Sequence, residues 1–314
     1  MALTKKARRS PESSPCLTLG PVLFNWPAEK WCDFYFRIAD EAPVDTVCVG
    51  EVVCLKRWSF FEPFVTDVVE RLQSAGKEVV RSTLSLIMDA RDLESVRAIS
   101  VDESHLVEVN DVAALTLLAG RPFATGPMVN VYNEGTLEFL ERRGAKRISL
   151  PVELPRASLA ALAGRSKAEL EVHVFGRLPL AISVRCFHAR AHGLHKDGCQ
   201  FVCGEDADGM SLTTLDGTAF LRVNGTQTLS DTYANLVCEL DELRAMGIGR
   251  FRLSPQDVDM VAVARTFRDV LAGSREPQAA LDDLAQLAPG IAFSNGFFHG
   301  IEGVGRVGPL ARAE

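Results

Sequence analysis

No stretch of about 18 uninterrupted apolar residues occurs in this sequence, so the signal for a membrane-spanning helix is missing. Nor does an apolar segment follow the basic start Lys5, Lys6, Arg8 and Arg9; no secretory signal is expected, and the predicted compartment is the cytosol. An excess of positive charge is lacking too. The formal net charge is −7, which argues against the concentrated Lys/Arg face that a nucleic-acid surface requires. The hydrolase signatures G-x-S-x-G and H-E-x-x-H are absent, and no G-x-G-x-x-G follows the first predicted strand to form a dinucleotide site.

What is present is an ordinary globular composition, 47% hydrophobic and 24% charged over 314 residues. The chain exceeds the usual single-domain length, but α/β barrels reach about 250 residues as one unit. Short apolar runs alternate with amphipathic segments. The predicted strands are Leu17–Phe24, Val44–Val49, Glu78–Leu84, Leu106–Val109, Pro122–Val131 and Arg147–Leu150. Helices are expected from Pro27 to Asp40, then over Phe60–Ala75, Asp89–Ile99, Asp111–Leu118, Glu134–Arg143 and Ser158–Ala163. Six such β-α units point to a parallel sheet with helices outside it, first of all a (β/α) barrel, with an open doubly wound sheet as the alternative.

Past Glu171 the pattern changes to an apolar run at Leu178–Val184 and a turn-rich region from His188 to Asp216. Order resumes with a strand at Phe220–Val223, a helix over Tyr233–Met246, a strand at Phe251–Leu253 and a helix around Val258–Leu271. The predicted organisation is a disordered tail over 1–16, a barrel-like domain over 17–272 and a C-terminal extension and tail over 273–314.

Eight cysteines in a reducing compartment imply buried thiols, catalysis or metal rather than a disulfide framework. Cys32, Cys48 and Cys238 fall within predicted helices and strands and read as core thiols, while Cys16 lies at the edge of the tail. Cys186, Cys199 and Cys203 crowd into a polar stretch with little else to bury a thiol. Cys54 follows Gly50-Glu51 at the C-terminal end of the second strand, where an α/β barrel gathers functional groups. Structural zinc and a 4Fe-4S cluster both accept four thiolates at such spacings. A radical S-adenosylmethionine site needs a third cysteine three positions beyond Cys203, where Asp206 stands. His188, His192 and His195 are further candidate zinc ligands.

The segment Glu171-Val-His-Val-Phe-Gly176-Arg-Leu-Pro-Leu-Ala-Ile-Ser183-Val-Arg-Cys186 resembles the signature of the collagenase-like peptidase family, E-x-F-x-H-G-A-x-C-x-x-x-S-G-x-C. Phe175 stands at the family's histidine position and Pro179 at its first cysteine position. His173, Arg177 and Val184 also differ. Those departures, with the motifs Gly20–Pro27, Gly50–Arg57, Pro151–Leu154, Leu178–Ala181, Arg185–Arg190, Asn224–Gln227 and Arg252–Pro255, resemble the branch of the family that serves oxygen-independent ubiquinone biosynthesis.

The resemblance implies one 4Fe-4S cluster on Cys54, Cys186, Cys199 and Cys203, and ring hydroxylation of a quinone precursor with an oxygen donor such as prephenate. It also implies a heterodimer with a second cluster-bearing family member and a lipid-binding accessory protein; peptidase activity is not expected. Barrel logic adds Glu51, Asn130, Asn133, Glu153 and Arg252 as candidate substrate-binding residues at strand ends. A non-catalytic, cluster-bearing partner subunit and a zinc-stabilised binding protein are the alternatives.

Overall fold

A computed structural model of the protein describes residues 14–308. Eight parallel strands close into a barrel. They are β1 (Cys16–Leu19), β2 (Thr46–Val49), β3 (Glu78–Ser82), β4 (Leu106–Val109), β5 (Phe123–Thr125), β6 (Ala145–Ser149), the first part of β7 (Glu169–Ile182) and, after an excursion, a strand over Arg250–Leu253 that joins β7 to β1. The excursion holds β8 (Met210–Thr213), β9 (Ala219–Asn224) and β10 (Gln227–Asn235), so the closing strand is β11, and β12 (Phe293–Ser294) pairs with β10. The expected barrel is therefore observed, and its closure excludes the open sheet.

The two faces of each short strand explain the packing. Leu17 and Leu19 point outward into the layer between strands and helices, where the helix Ala28–Glu41 lays down Trp31, Tyr35 and Ile38 at helical spacing. Thr18, Thr46, Cys48, Ser82, Glu108 and Arg252 are buried on strands of the same barrel. Arg252 Nη1 donates to Glu108 Oε2 at 2.6 Å and Glu171 Oε1 at 2.9 Å, so the lumen is held by a buried charge network. The apolar core lies outside the strands.

Beyond the barrel, β7 continues for several residues and pairs antiparallel with β10, which pairs with β9, which pairs with β8. This small antiparallel sheet stands over the barrel's C-terminal end. The helix Pro277–Leu287 follows Met260–Leu271 and buries Ala280, Leu281 and Leu284 in the main core. No helix among the described residues is long and apolar enough to cross a membrane.

Several expectations are corrected. The helix expected over Tyr233–Met246 is strand as far as Asn235, because Tyr233, Ala234 and Asn235 pair with Arg177, Gly176 and Phe175; only Leu240–Ala245 is helical. Cys238 accordingly sits in a turn, not a helix. The strand expected over Pro122–Val131 is confined to Phe123–Thr125. The predicted tail lies outside the described residues up to residue 13, and Cys16 opens β1, where its backbone N–H donates to Gly249 O.

Candidate metal centre

Cys54 is presented by the loop after β2. The Glu51 carboxylate folds back on that loop, accepting from Val53 N at 2.7 Å and Cys54 N at 2.9 Å, and so fixes the turn that turns Cys54 out of the barrel wall. Cys186 caps the short helix Phe187–Ala191, its Sγ accepting from Ala189 N at 3.4 Å. Cys199 and Cys203 flank Gln200 and Phe201, which have positive φ of 49° and 55°. Side chains avoid that region, so the backbone between the two cysteines is held under strain. Phe201 is anchored by an edge-on contact with Phe60.

These loops meet. Cys54, Cys186, Cys199 and Cys203 line a single narrow recess, together with Arg57 and the turn Gly225-Thr226. Thr226 Oγ1 donates to Val53 O at 3.0 Å, and Lys56 Nζ donates to Lys196 O at 2.7 Å, so the β9–β10 tip and the Cys199 loop are both tied to the Cys54 loop. At the centre is Arg57, only 1% exposed. It donates to Leu23 O at 2.7 Å and to Asn224 Oδ1 at 2.9 Å. Gly225 (φ +64°) must be glycine: a Cβ there would come within 2.5 Å of Arg57 Nη2.

Without a metal, Cys54 and Cys203 are held toward the neutral thiol, against the pull of one buried cation. Burial pushes the Cys54 and Cys203 thiols up, and the Arg57 guanidinium pulls both back down; Glu51 raises Cys54, and Cys186 and Cys199 raise Cys203. A buried cation whose Nε has no acceptor among the described residues lies beside thiols that a metal would convert to thiolates.

Residues 35–307 match the model of peptidase family U32. The chain belongs to that family. The region matched takes in the three later cysteines, Cys54 and every barrel strand except β1.

Within this U32 chain the other candidate residues are dispersed. Glu51 serves the Cys54 turn. Arg252 is committed to Glu108 and Glu171 inside the barrel. Asn133 caps the helix Glu134–Arg143 by accepting from Thr136 N at 2.9 Å. Glu153 accepts from the Tyr132 hydroxyl, and Asn130 is exposed. His188 Nε2 and Asp206 Oδ2 are 2.9 Å apart, and His192 stacks on His188; these three groups lie close enough to share a cation, while His195 is not among them. The hydrogen bond to Asp206 satisfies only Nε2 of the buried His188; its Nδ1 is buried without a partner among the described residues.

Sequence reasoning missed Arg57, Asn224 and Thr226 as the frame of the recess. All three fall inside the quoted motifs, but nothing local tells a buried arginine from a solvated one. It also missed Glu108 and His173, which line a pocket at the barrel mouth.

Proposed function

We propose that this U32 protein binds one 4Fe-4S cluster through Cys54, Cys186, Cys199 and Cys203 and acts in the oxygen-independent hydroxylation of a ubiquinone precursor. The observation that carries the cluster assignment is the convergence of four cysteines from three separate loops on one recess with a buried arginine. The pathway assignment rests on the motif resemblance to UbiV, which brings with it UbiU as heterodimer partner, the lipid-binding protein UbiT, prephenate as a candidate oxygen donor and a cytosolic setting.

When bound, such a cluster supplies one-electron chemistry or structural support, since four thiolates leave no open iron. The chain's own residues hold the ligands apart and shield them: Glu51 fixes Cys54, the helix at Cys186 directs a backbone N–H at its sulfur, and Arg57 offsets thiolate charge. Anaerobic purification should yield iron and acid-labile sulfide in equal amounts, near four per chain, with a broad sulfur-to-iron absorption. Serine at any one of the four positions should lower that content severalfold. Stoichiometric zinc without sulfide would overturn the assignment.

A second reading, in which this subunit carries a cluster while UbiU performs the chemistry, is favoured by Phe175. That residue occupies the family's histidine position and packs against Tyr233, Phe267 and Phe293 outside the barrel. Ligand-to-serine substitutions made in one subunit at a time separate the two readings.

A further inference from the structure

Three side chains that follow the cysteines take no part in the proposed cluster. His188 and His192 stand four residues apart, the first on the helix Phe187–Ala191 and the second at its C-terminal cap, so one helical turn separates them and both project from the same side. Their rings lie nearly parallel, with 5.7 Å between centres. The Asp206 carboxylate completes the group, its Oδ2 2.9 Å from His188 Nε2, and one donor atom from each of the three residues falls within 4.8 Å of the other two.

A histidine–aspartate pair alone does not account for this arrangement. Nε2 of His188 serves Asp206, but Nδ1 is buried with no partner among the described residues. A buried ring placed for its hydrogen bonds would have both nitrogens paired. Nδ1 stays unpaired whether Nε2 donates to Asp206 or coordinates a metal, so ligation strands no further atom. His192 is exposed and nonetheless lies over His188.

Nor does Asp206 need the histidine to hold it. The residues after it are anchored from elsewhere: Trp26 Nε1 donates to Ala207 O at 2.8 Å, and the buried Arg177 donates from Nε to Asp208 Oδ1 at 3.1 Å. A fixed stretch of backbone thus presents the carboxylate to two imidazoles, the preorganisation that a metal site requires.

Donor chemistry selects the ion. Two neutral imidazoles and a carboxylate suit a borderline divalent transition ion, whereas Mg²⁺ and Ca²⁺ prefer oxygen alone. Three protein ligands with an exposed side leave a further position for water, the ligand count of an open zinc site. We infer that His188, His192 and Asp206 form a site for one divalent transition ion of the zinc class, separate from the four cysteines. The ion bridges the helix that starts after Cys186 and the segment three residues past Cys203, and so closes the chain between them into a loop. None of its ligands is a thiol, so the site stands whether or not the cysteines carry a cluster.

The test is titration of the anaerobically purified full chain with Co²⁺, a spectroscopic stand-in for zinc, with bound cobalt and iron counted on the same samples. The unaltered chain should take up one Co²⁺ with weak visible bands and no sulfur-to-cobalt charge transfer, and Zn²⁺ should displace it. His192→Ala, chosen because that ring is exposed, and Asp206→Asn should each weaken binding by more than the roughly 10–100-fold that loss of an outer-shell partner costs. His195→Ala, outside the triad, should leave binding unchanged. Zn²⁺ should raise the Tm of the unaltered chain and not that of His192→Ala. No Co²⁺ uptake by the unaltered chain, undiminished uptake by His192→Ala, or a spectrum carried by sulfur ligands would each overturn the inference.

Discussion

Arg57 shows how much a single side chain can organise. Buried, it bonds to the β1 loop through Leu23 O and to the β9–β10 tip through Asn224, and it faces two of the four thiols. Arg57→Met should therefore cost about 3 kcal/mol in chemical denaturation, because it strands buried acceptors, and should lower iron retention as well. Gly225→Ala should do the same by a different route, by forcing a Cβ into the guanidinium. His173 gives a pH signature. Burial pushes its pKa down to about 4 from 6.5, so the unfolded chain takes up the proton first. Its contribution is complete above about pH 6.5, falls as pH drops through that window and levels off below about 4, a total of about 3 kcal/mol. Stability curves of the parent chain and His173→Leu should diverge in slope between those limits and run parallel above them.

Among the elements, those fixed by local chemistry were legible and those fixed by distant partners were not. The strand Leu106–Val109 and the helix Glu134–Arg143 appear at their expected residues, since β-branched alternation and an Asn133 cap are local signals. Asn133→Ala should accordingly cost about 1 kcal/mol, read as a lowered denaturation midpoint, with no change in metal content. Tyr233–Met246 misled because Tyr233, Leu236, Val237 and Leu240 have helical spacing. Pairing with β7 overrides that spacing at its first three residues, and the sequence holds no trace of the pairing. The four cysteines were recognisable as a set from composition, spacing and resemblance, but the frame around them was not. Arg57 to Asn224 spans most of the barrel in sequence, and only the folded hairpin brings them together. The bulge that turns Phe175 out and leaves His173 inside was equally invisible, because strand alternation places both on one face.

At the scale of the molecule, the barrel closes around charge. β11 contributes Arg252 between Glu108 of β4 and Glu171 of β7, so the closing strand is held across the lumen as well as at its edges. Arg252→Met leaves buried Glu108 without its counter-ion and Glu171 with only Arg250 at 3.9 Å, and should cost about 3–5 kcal/mol, seen as a large fall in Tm, while Arg252→Lys should recover only part of it. The excursion between β7 and β11 has a further consequence. One thiol sits on the short loop after β2 and three on a strip of chain beyond β7, so on the proposed cluster reading metal loading would bolt together two stretches more than 130 residues apart. On that reading, removing the metal would leave the strip held only by ties such as Lys56 Nζ to Lys196 O, with the barrel unaffected. Trypsin should then cut first after Arg190 or Lys196 in iron-free protein, releasing no barrel strand, and those same bonds should resist cleavage once iron and sulfide are restored.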